Sequence, residues 1–273
     1  MRAVVTGRTP FAVPRYGSSL FGALLAEVIG TFILTFFGAG TVVAVLLFAP
    51  ESSANVIAIS VAFGLAVLVA VYAFGHVSGA HINPTVTIAL AAVRRFPWRS
   101  VPAYLVAQFV GAILAALVIW ALFGDQGRDA PLMLGATSPG ARGAAPAFLA
   151  EVVLGFLLVV VVMATATDKR ANPAVAGLAI GFVIGAGIFV TLTVSGGSFN
   201  AARSLGPMIV AWQFPSWWLY LIAPTAGGVL GALCYDLAVR PGAPPEVEQP
   251  SREETRPSEE AAARRWSDRP RSQ

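Results

Sequence analysis

The sequence predicts an all-α membrane protein in which six transmembrane helices and two re-entrant half-helices form an inverted repeat. Hydrophobic residues make up 56% of the 273 residues, and only 12% are charged. A soluble domain averages about 25% charged residues, so the composition excludes a soluble enzyme, a disordered chain and a collagen-like chain. Six long apolar stretches, two short ones and an internal repeat complete the prediction.

Each of the six long stretches has at least the roughly 20 apolar residues that a helix needs to cross a bilayer. They are residues 20–48, 54–75, 101–123, 147–167, 174–194 and 216–239. The first stretch is too long for the apolar core of a signal peptide, so we interpret it as the first spanning helix. Residues 124–146 form the longest connection between spans.

Two further apolar segments, residues 83–93 and 200–211, are too short to span. Each begins at an asparagine, Asn83 or Asn200, a residue type that caps helix N-termini. Apolar helices of about 10–14 residues are candidates for re-entrant segments. Non-helical backbone leading into such a helix is tolerated at membrane depth where it lines a water-filled cavity. We therefore predict two half-helices that enter the membrane without crossing it.

The two halves of the chain, about residues 20–123 and 147–239, resemble each other. The aligned segments are AEVIGTFILTF at 26–36 with AEVVLGFLLVV at 150–160, and SGAHINPTVT at 78–87 with SGGSFNAARS at 195–204. Three spans in each half force the second copy to insert upside down. Such inverted repeats place a functional site near the midplane, between the two copies.

Basic residues predict the orientation and the limits of the membrane domain. If residues 1–19 and 240–273 are cytoplasmic, all of the 18 basic residues except Arg128, Arg142 and Arg203 face the cytoplasm, as the positive-inside rule requires. Residues 240–273 contain seven basic and seven acidic residues among proline and serine, which predicts a disordered tail. Because position matters more than the net charge of +4, we do not expect a nucleic-acid partner.

Residue types that hold metals or carry redox chemistry are scarce. The single cysteine, Cys234, excludes an intramolecular disulfide. Two histidines, His76 and His81, leave little for metal binding or a proton relay. We expect no metal, no cofactor and no covalent step.

Two acidic residues, Glu27 and Glu151, lie at matching places in the first span of each half. Carboxylates within the membrane are costly and normally face the interior of the bundle. One interpretation makes them structural acceptors for the free N–H groups of the non-helical loops, and their symmetry favours it. The alternative is a proton-coupled secondary transporter of a small solute that uses Glu27 or Glu151.

The polar residues of the two half-helices point to a pore. Opposed helix N-termini would bring two positive dipole ends together beside the amides of Asn83 and Asn200, which repels cations and offers N–H donors to a passing oxygen. Arg203 follows Asn200 by three residues. An arginine at that depth is costly, so we expect it to project into a wet space as a donor and as a barrier to cations.

These motifs together resemble the aquaporin, or major intrinsic protein, family over about residues 20–239. The carrying segments are AEVIGTF, GHVSGAHINPTVT, YLVAQFVGA, SGGSFNAARSLGP and LIAPTAGGVLGALCYD. The resemblance implies a passive channel in the cell membrane for water and small neutral solutes such as glycerol, urea, ammonia or metalloid hydroxides. It also implies exclusion of ions and protons, and a homotetramer with one pore per subunit.

The chain departs from the family at the pore midpoint. Family members usually carry Asn-Pro-Ala twice, whereas this chain has Asn83-Pro84-Thr85 and Asn200-Ala201-Ala202. Both asparagines remain, so the central donor pair is intact. Loss of proline at 201 gives up a pre-set φ angle, and Thr85 adds a hydroxyl and bulk. These changes bear on the width and rigidity of the midpoint, not on its existence.

The resemblance also places a selectivity constriction at four residues: Phe63, Ile188, Gly197 and Arg203. Water channels of the family usually have histidine where Ile188 stands, and glycerol facilitators have an aromatic residue at Gly197 and aspartate at Ser204. Tyr220 resembles the first group and Leu221 the second, so the two signals conflict. Isoleucine cannot donate a hydrogen bond and glycine leaves space, so we expect a wider, less polar opening than in a strict water channel.

Overall fold

A computed structural model describes residues 19–168 and 170–239. The predicted disordered tail, 240–273, and nearly all of the predicted N-terminal segment, 1–19, lie outside the described residues. The described chain is helical throughout its regular structure.

Eight α-helices follow one another along the described chain. They are α1 (Leu20–Phe48), α2 (Asn55–Ser78), α3 (Pro84–Ala92), α4 (Val101–Arg128), α5 (Ala144–Val162), α6 (Ala176–Ser195), α7 (Ala201–Ala211) and α8 (Trp217–Cys234). Short π-helical turns extend α5 through Met163–Thr167 and α8 through Tyr235–Val239. Six of these helices are long and apolar enough to cross a membrane, and α3 and α7 are the two half-helices, so the predicted fold class is confirmed.

Helix boundaries follow the residues that can start and stop a helix. The side chain of Ser19 accepts a hydrogen bond from the Gly22 N–H and caps α1. Helices α2 and α6 end at Gly79 and Gly196, whose φ angles of 86° and 79° belong to the left-handed region, which glycine adopts without penalty. The predicted third span ends at residue 123, and Gly124 interrupts the helical backbone there with a φ of 63°, after which α4 continues to Arg128.

The two repeats interlock through their half-helices. Helices α1–α4 form the first repeat and α5–α8 the second, and α2 packs against α6 between them. Each half-helix packs against the last helix of the other repeat, α3 on α8 and α7 on α4. Equivalent glycines bring neighbouring helices together: a Cβ at Gly111 would collide with the Val28 carbonyl, and one at Gly227 with the Val152 carbonyl.

Candidate functional site

Glu27 of α1 organises the loop that leads into α3. Its Oε1 accepts hydrogen bonds from the Ser78 hydroxyl at 2.7 Å and the His81 N–H at 2.9 Å. Its Oε2 accepts from the Ile82 N–H at 2.6 Å and the Gln108 amide at 2.8 Å. The side chain is fully buried. The carboxylate therefore satisfies loop N–H groups that have no helical partner.

Glu151 of α5 does the same for the loop that leads into α7. Its Oε1 accepts from the Ser195 hydroxyl at 2.7 Å and the Ser198 N–H at 2.8 Å, and its Oε2 from the Phe199 N–H at 2.9 Å. Ile82 and Phe199 hold equivalent positions with φ angles of 46° and 58°. Left-handed backbone at a non-glycine residue costs about 1–3 kcal/mol, and each carboxylate holds one such residue in place.

Two tyrosines reinforce these loops at equivalent positions. The Tyr104 hydroxyl donates to the Ser78 carbonyl at 2.9 Å, and the Tyr220 hydroxyl donates to the Ser195 carbonyl at 2.8 Å. Sequence reasoning did not find these anchors, although YLVAQ at 104–108 and YLIAP at 220–224 align in the same repeat. The repeat alignment, extended to the last helix of each half, was the signal that could have found them.

The two asparagines join the half-helices to each other. The Asn83 amide donates to the Phe199 carbonyl at 3.1 Å, and the Asn200 amide donates to the Ile82 carbonyl at 2.8 Å. Their side-chain oxygens cap the helices: Asn83 accepts from the Thr85 N–H, and Asn200 from two N–H groups of α7. Each amide nitrogen carries two hydrogens and has one acceptor among the described residues, which leaves one hydrogen for another oxygen.

A cavity of about 380 Å³ passes these asparagines. Its polar side comes from the two loops, with Asn83, Ser198 and Asn200, while α1, α2, α5 and α6 supply an apolar wall. Arg203, Phe63 and Ile188 line one end, and His76, Tyr72 and Thr167 line the other. We call these the Arg203 end and the His76 end.

Arg203 is held at its end of the cavity with 2% of its surface exposed. One guanidinium nitrogen donates to the Gly135 carbonyl at 3.0 Å, and Cζ lies 4.5 Å from the centroid of the Phe63 ring. Among the described residues no carboxylate forms an ion pair with Arg203. The Nε hydrogen has no partner in the described part of the chain.

Comparison with known proteins places this geometry in a family. The family model described as major intrinsic protein matches residues 17–235. The chain belongs to the major intrinsic protein family. It is similar to aquaporin NIP1-1 of Oryza sativa subsp. japonica, with 41% identity over 78% of this chain and 73% of the relative. Aquaporin NIP6-1 of Arabidopsis thaliana is 37% identical over 88% of this chain and 77% of that protein.

A solved structure shares the fold. The X-ray structure of the aquaglyceroporin from Plasmodium falciparum matches with a TM-score of 0.71 and 24% identity, covering 82% of this chain and 98% of that one. The predicted family and the channel function follow, and the comparisons do not support the proton-coupled alternative.

Within this aquaporin fold, the predicted midpoint residues separate into two groups. Asn83 and Asn200 line the cavity, whereas Pro84, Thr85, Ala201 and Ala202 do not. The methyl group of Thr85 points at α8, where a Cβ on Gly228 would lie 2.6 Å from it. The added bulk of threonine is therefore taken up by a glycine in the neighbouring helix and does not narrow the cavity.

Of the four predicted constriction residues, three line the cavity and one lies behind it. Phe63, Ile188 and Arg203 line the cavity, and Gly197 does not. A Cβ at Gly197 would lie 2.9 Å from the Cγ1 of Ile188, so Ile188 occupies the space that we expected the glycine to leave.

Hydroxyl and aromatic groups behind the loops differ between the repeats. His81 Nδ1 lies 3.1 Å from the Thr87 hydroxyl, which also accepts from Gln108. The equivalent Ser198 and Ser204 hydroxyls are 2.5 Å apart, and Thr137 of the 124–146 connection donates to Ser204 at 2.8 Å. Sequence reasoning missed these partners, since hydroxyl side chains in apolar segments carry no distinctive spacing.

Charged residues brace the His76 end of the channel. Arg95 donates to the Thr167 hydroxyl at 3.0 Å and to Asp236 at 2.6 Å, so it joins the turns that extend α5 and α8. Close by, the hydrogen bonds from Arg170 hold the pKa of the Asp168 carboxyl below its ordinary value. From the sequence these residues are recognised only as charged residues between the apolar spans, and their hydrogen-bond partners are not indicated.

Proposed function

We propose that this protein is a passive channel of the cell membrane that conducts water and small neutral solutes, glycerol among them, and excludes ions and protons. The observation that carries the proposal is the pair of asparagine amides at the meeting point of the two half-helices. Each presents a donor hydrogen to a cavity whose opposite wall is apolar. A polyol fits such a lining, because its hydroxyls face the polar loops and its C–H groups face the wall.

Ion exclusion is assigned to the midpoint and to Arg203. The N-termini of α3 and α7 meet beside Asn83 and Asn200, and each helix carries roughly half a positive charge at its N-terminus. A cation at this point would lose its hydration and meet two positive dipole ends. The Arg203 guanidinium adds a second electrostatic barrier. Glu27 and Glu151 act as structural acceptors in this proposal, since loop donors surround both oxygens of each carboxylate.

The selectivity constriction is assigned to Phe63, Ile188 and Arg203, with Gly197 behind Ile188. The arginine supplies hydrogen-bond donors, and the phenylalanine and isoleucine supply an apolar surface. We place both termini in the cytoplasm on the distribution of basic residues. Membership of the family supports a homotetramer with one pore per subunit, which is tested by the mass of the detergent-solubilised complex.

The experiment is stopped-flow light scattering on proteoliposomes. Wild-type vesicles should shrink faster than empty ones under a sucrose gradient, with a low activation energy, and should pass glycerol or urea. They should show no ionic current and no proton leak. Flux that saturates and collapses with the proton gradient would contradict a channel.

Two variants test the constriction. Ile188→His should reduce the ratio of glycerol to water permeability, because a histidine narrows the passage and competes for water, whereas the control Ile188→Val should leave that ratio nearly unchanged. Arg203→Val should raise the ratio and weaken the barrier to cations. An unchanged ratio in folded Ile188→His protein would show that the constriction lies elsewhere.

A further inference from the structure

Gly38 in the middle of α1 lies directly behind the aromatic residue of the proposed constriction. A Cβ placed on Gly38 would overlap the Phe63 ring, lying 2.5 Å from Cζ and closer still to Cδ1 and Cε1. Real Cβ atoms do not come so close to a ring, so the ring occupies its position only because residue 38 has no side chain.

The Phe63 ring has little freedom to move elsewhere. It is 2% exposed and lies beneath the Arg203 guanidinium, whose Cζ is 4.5 Å from the ring centroid. The ring lines the cavity, while Gly38 does not. Displacement of the ring away from α1 therefore moves it toward the cavity and toward the arginine.

A glycine inside a helix is destabilising by roughly 1 kcal/mol relative to alanine, and the close approach of the Phe63 ring is a packing reason for glycine at position 38. Gly40, two residues further along α1, offers a contrast. A Cβ at Gly40 would lie 3.6 Å from Ile119, an ordinary van der Waals distance. Contact with Phe63 thus distinguishes Gly38 from its neighbour in the same helix.

We propose that Gly38 is a positioning residue for solute selectivity, which widens the passage by letting the Phe63 ring retreat onto α1. The inference rests on the proposed function, because it takes Phe63 and Arg203 as the constriction. It assigns part of the channel's width to a residue that no permeating molecule touches. Gly38→Ala should push the ring into the passage and exclude glycerol and urea more strongly than water.

The test compares Gly38→Ala with the matched control Gly40→Ala in proteoliposomes that contain equal amounts of folded protein. Gly38→Ala should lower the ratio of glycerol to water permeability about tenfold, the low end of what one methylene group is worth in a tight apolar pocket. Gly40→Ala should leave the ratio unchanged. A purely structural loss would lower both permeabilities in proportion and would not move the ratio.

A rescue variant completes the experiment. Phe63→Leu removes the ring, so Gly38→Ala should have no effect on the ratio in that background. An unchanged ratio in Gly38→Ala, or a ratio that Phe63→Leu does not restore, would overturn the inference. So would a Gly38→Ala protein that folds only together with Phe63→Leu, because the collision would then be relieved by unfolding rather than by ring displacement.

The same measurements separate this inference from the proposed function. Wild-type vesicles that conduct no water above the empty control would refute the channel itself. Wild-type vesicles that conduct water but neither glycerol nor urea would keep the water channel, refute its proposed solute permeability and overturn the role of Gly38, because the ring would already close the passage to solutes.

Discussion

The two repeats have the same frame but differ in the residues that surround the cavity. Asn83 and Asn200, Glu27 and Glu151, and Tyr104 and Tyr220 make equivalent hydrogen bonds in the two halves. Other aligned positions differ between the halves. Arg203 of the second half aligns with Val86 of the first. His81 of the first half aligns with Ser198, and Gln108 aligns with Pro224. The shared residues build the loops and the midpoint. The differing residues give the two ends of the channel different chemistry.

The difference shows how an inverted repeat becomes a selective passage. Two identical halves would place a cation, or a valine, at both ends of the cavity. Here Arg203 lies at one end, over the Phe63 ring, and the equivalent position in the first half is the buried Val86. In the first half, His81 instead packs against the rings of Phe96 and Tyr104. We infer that selectivity is concentrated at the Arg203 end.

Substitution of Glu27 or Glu151 should cause the largest loss of stability, and the two variants compare the loops of the two repeats directly. Each carboxylate oxygen of Glu27 accepts two hydrogen bonds. Glutamine replaces one of these oxygens by an NH2 group, which is itself a donor. In either orientation of the Glu27→Gln side chain, this NH2 group therefore faces two donors. In one orientation of the Glu151→Gln side chain, the NH2 group faces only one donor, the Phe199 N–H. We expect both variants to lose about 1–3 kcal/mol of stability, Glu27→Gln more than Glu151→Gln.

Thermal unfolding in detergent measures the loss, and water flux per folded protein measures conduction. Folded protein of both variants should still conduct water. Loss of conduction in well-folded Glu27→Gln or Glu151→Gln would contradict the structural role and would revive a part for these carboxylates in transport.

Gln108 tests an interaction that exists in the first repeat alone. Its amide donates to Glu27 at 2.8 Å and to Thr87 at 2.9 Å, while its Oε1 has no partner among the described residues. Gln108→Leu removes both donated bonds together with an unsatisfied oxygen, so we expect a loss of about 1 kcal/mol. The combined variant Gln108→Leu, Glu27→Gln should lose less than the sum of the two single losses, because the residues share one network. Additive losses would show that Gln108 acts independently of Glu27.

Much of the fold could be predicted because its signals are local. Apolar runs of membrane-spanning length mark the six spans, and Asn83 and Asn200 mark the N-termini of the half-helices by capping chemistry. The symmetry of Glu27 and Glu151 favours structural acceptors, and loop N–H groups donate to both carboxylates. These features depend on residue type and spacing along one segment.

The packing around the proposed constriction could not be predicted from the sequence, because it depends on which side chains face each other across helices. The sequence shows a threonine at 85, but not that its methyl group meets Gly228 on α8. It shows a glycine at 197, but not that Ile188 packs against it. Gly38 carries no signal until the Phe63 ring is seen beside it. Rotation of each helix about its axis decides these contacts, and no single segment encodes that rotation.

Substitution of Thr85 should have the smallest effect on permeability. It distinguishes a midpoint that Thr85 narrows, as the family pattern suggests, from one that Thr85 does not reach, as its packing against α8 indicates. Its methyl group lies against α8 and its hydroxyl is buried without a partner in the described chain. The family pattern, with alanine at this place, suggests that Thr85→Ala would widen the midpoint. The structure predicts no change in the ratio of glycerol to water permeability, and only a modest loss of stability from the small cavity that remains beside Gly228. Thr85→Val keeps the shape and removes the unsatisfied hydroxyl, so it should be at least as stable as the wild type. A glycerol ratio that rises in Thr85→Ala but not in Thr85→Val would show that the side chain reaches the passage after all.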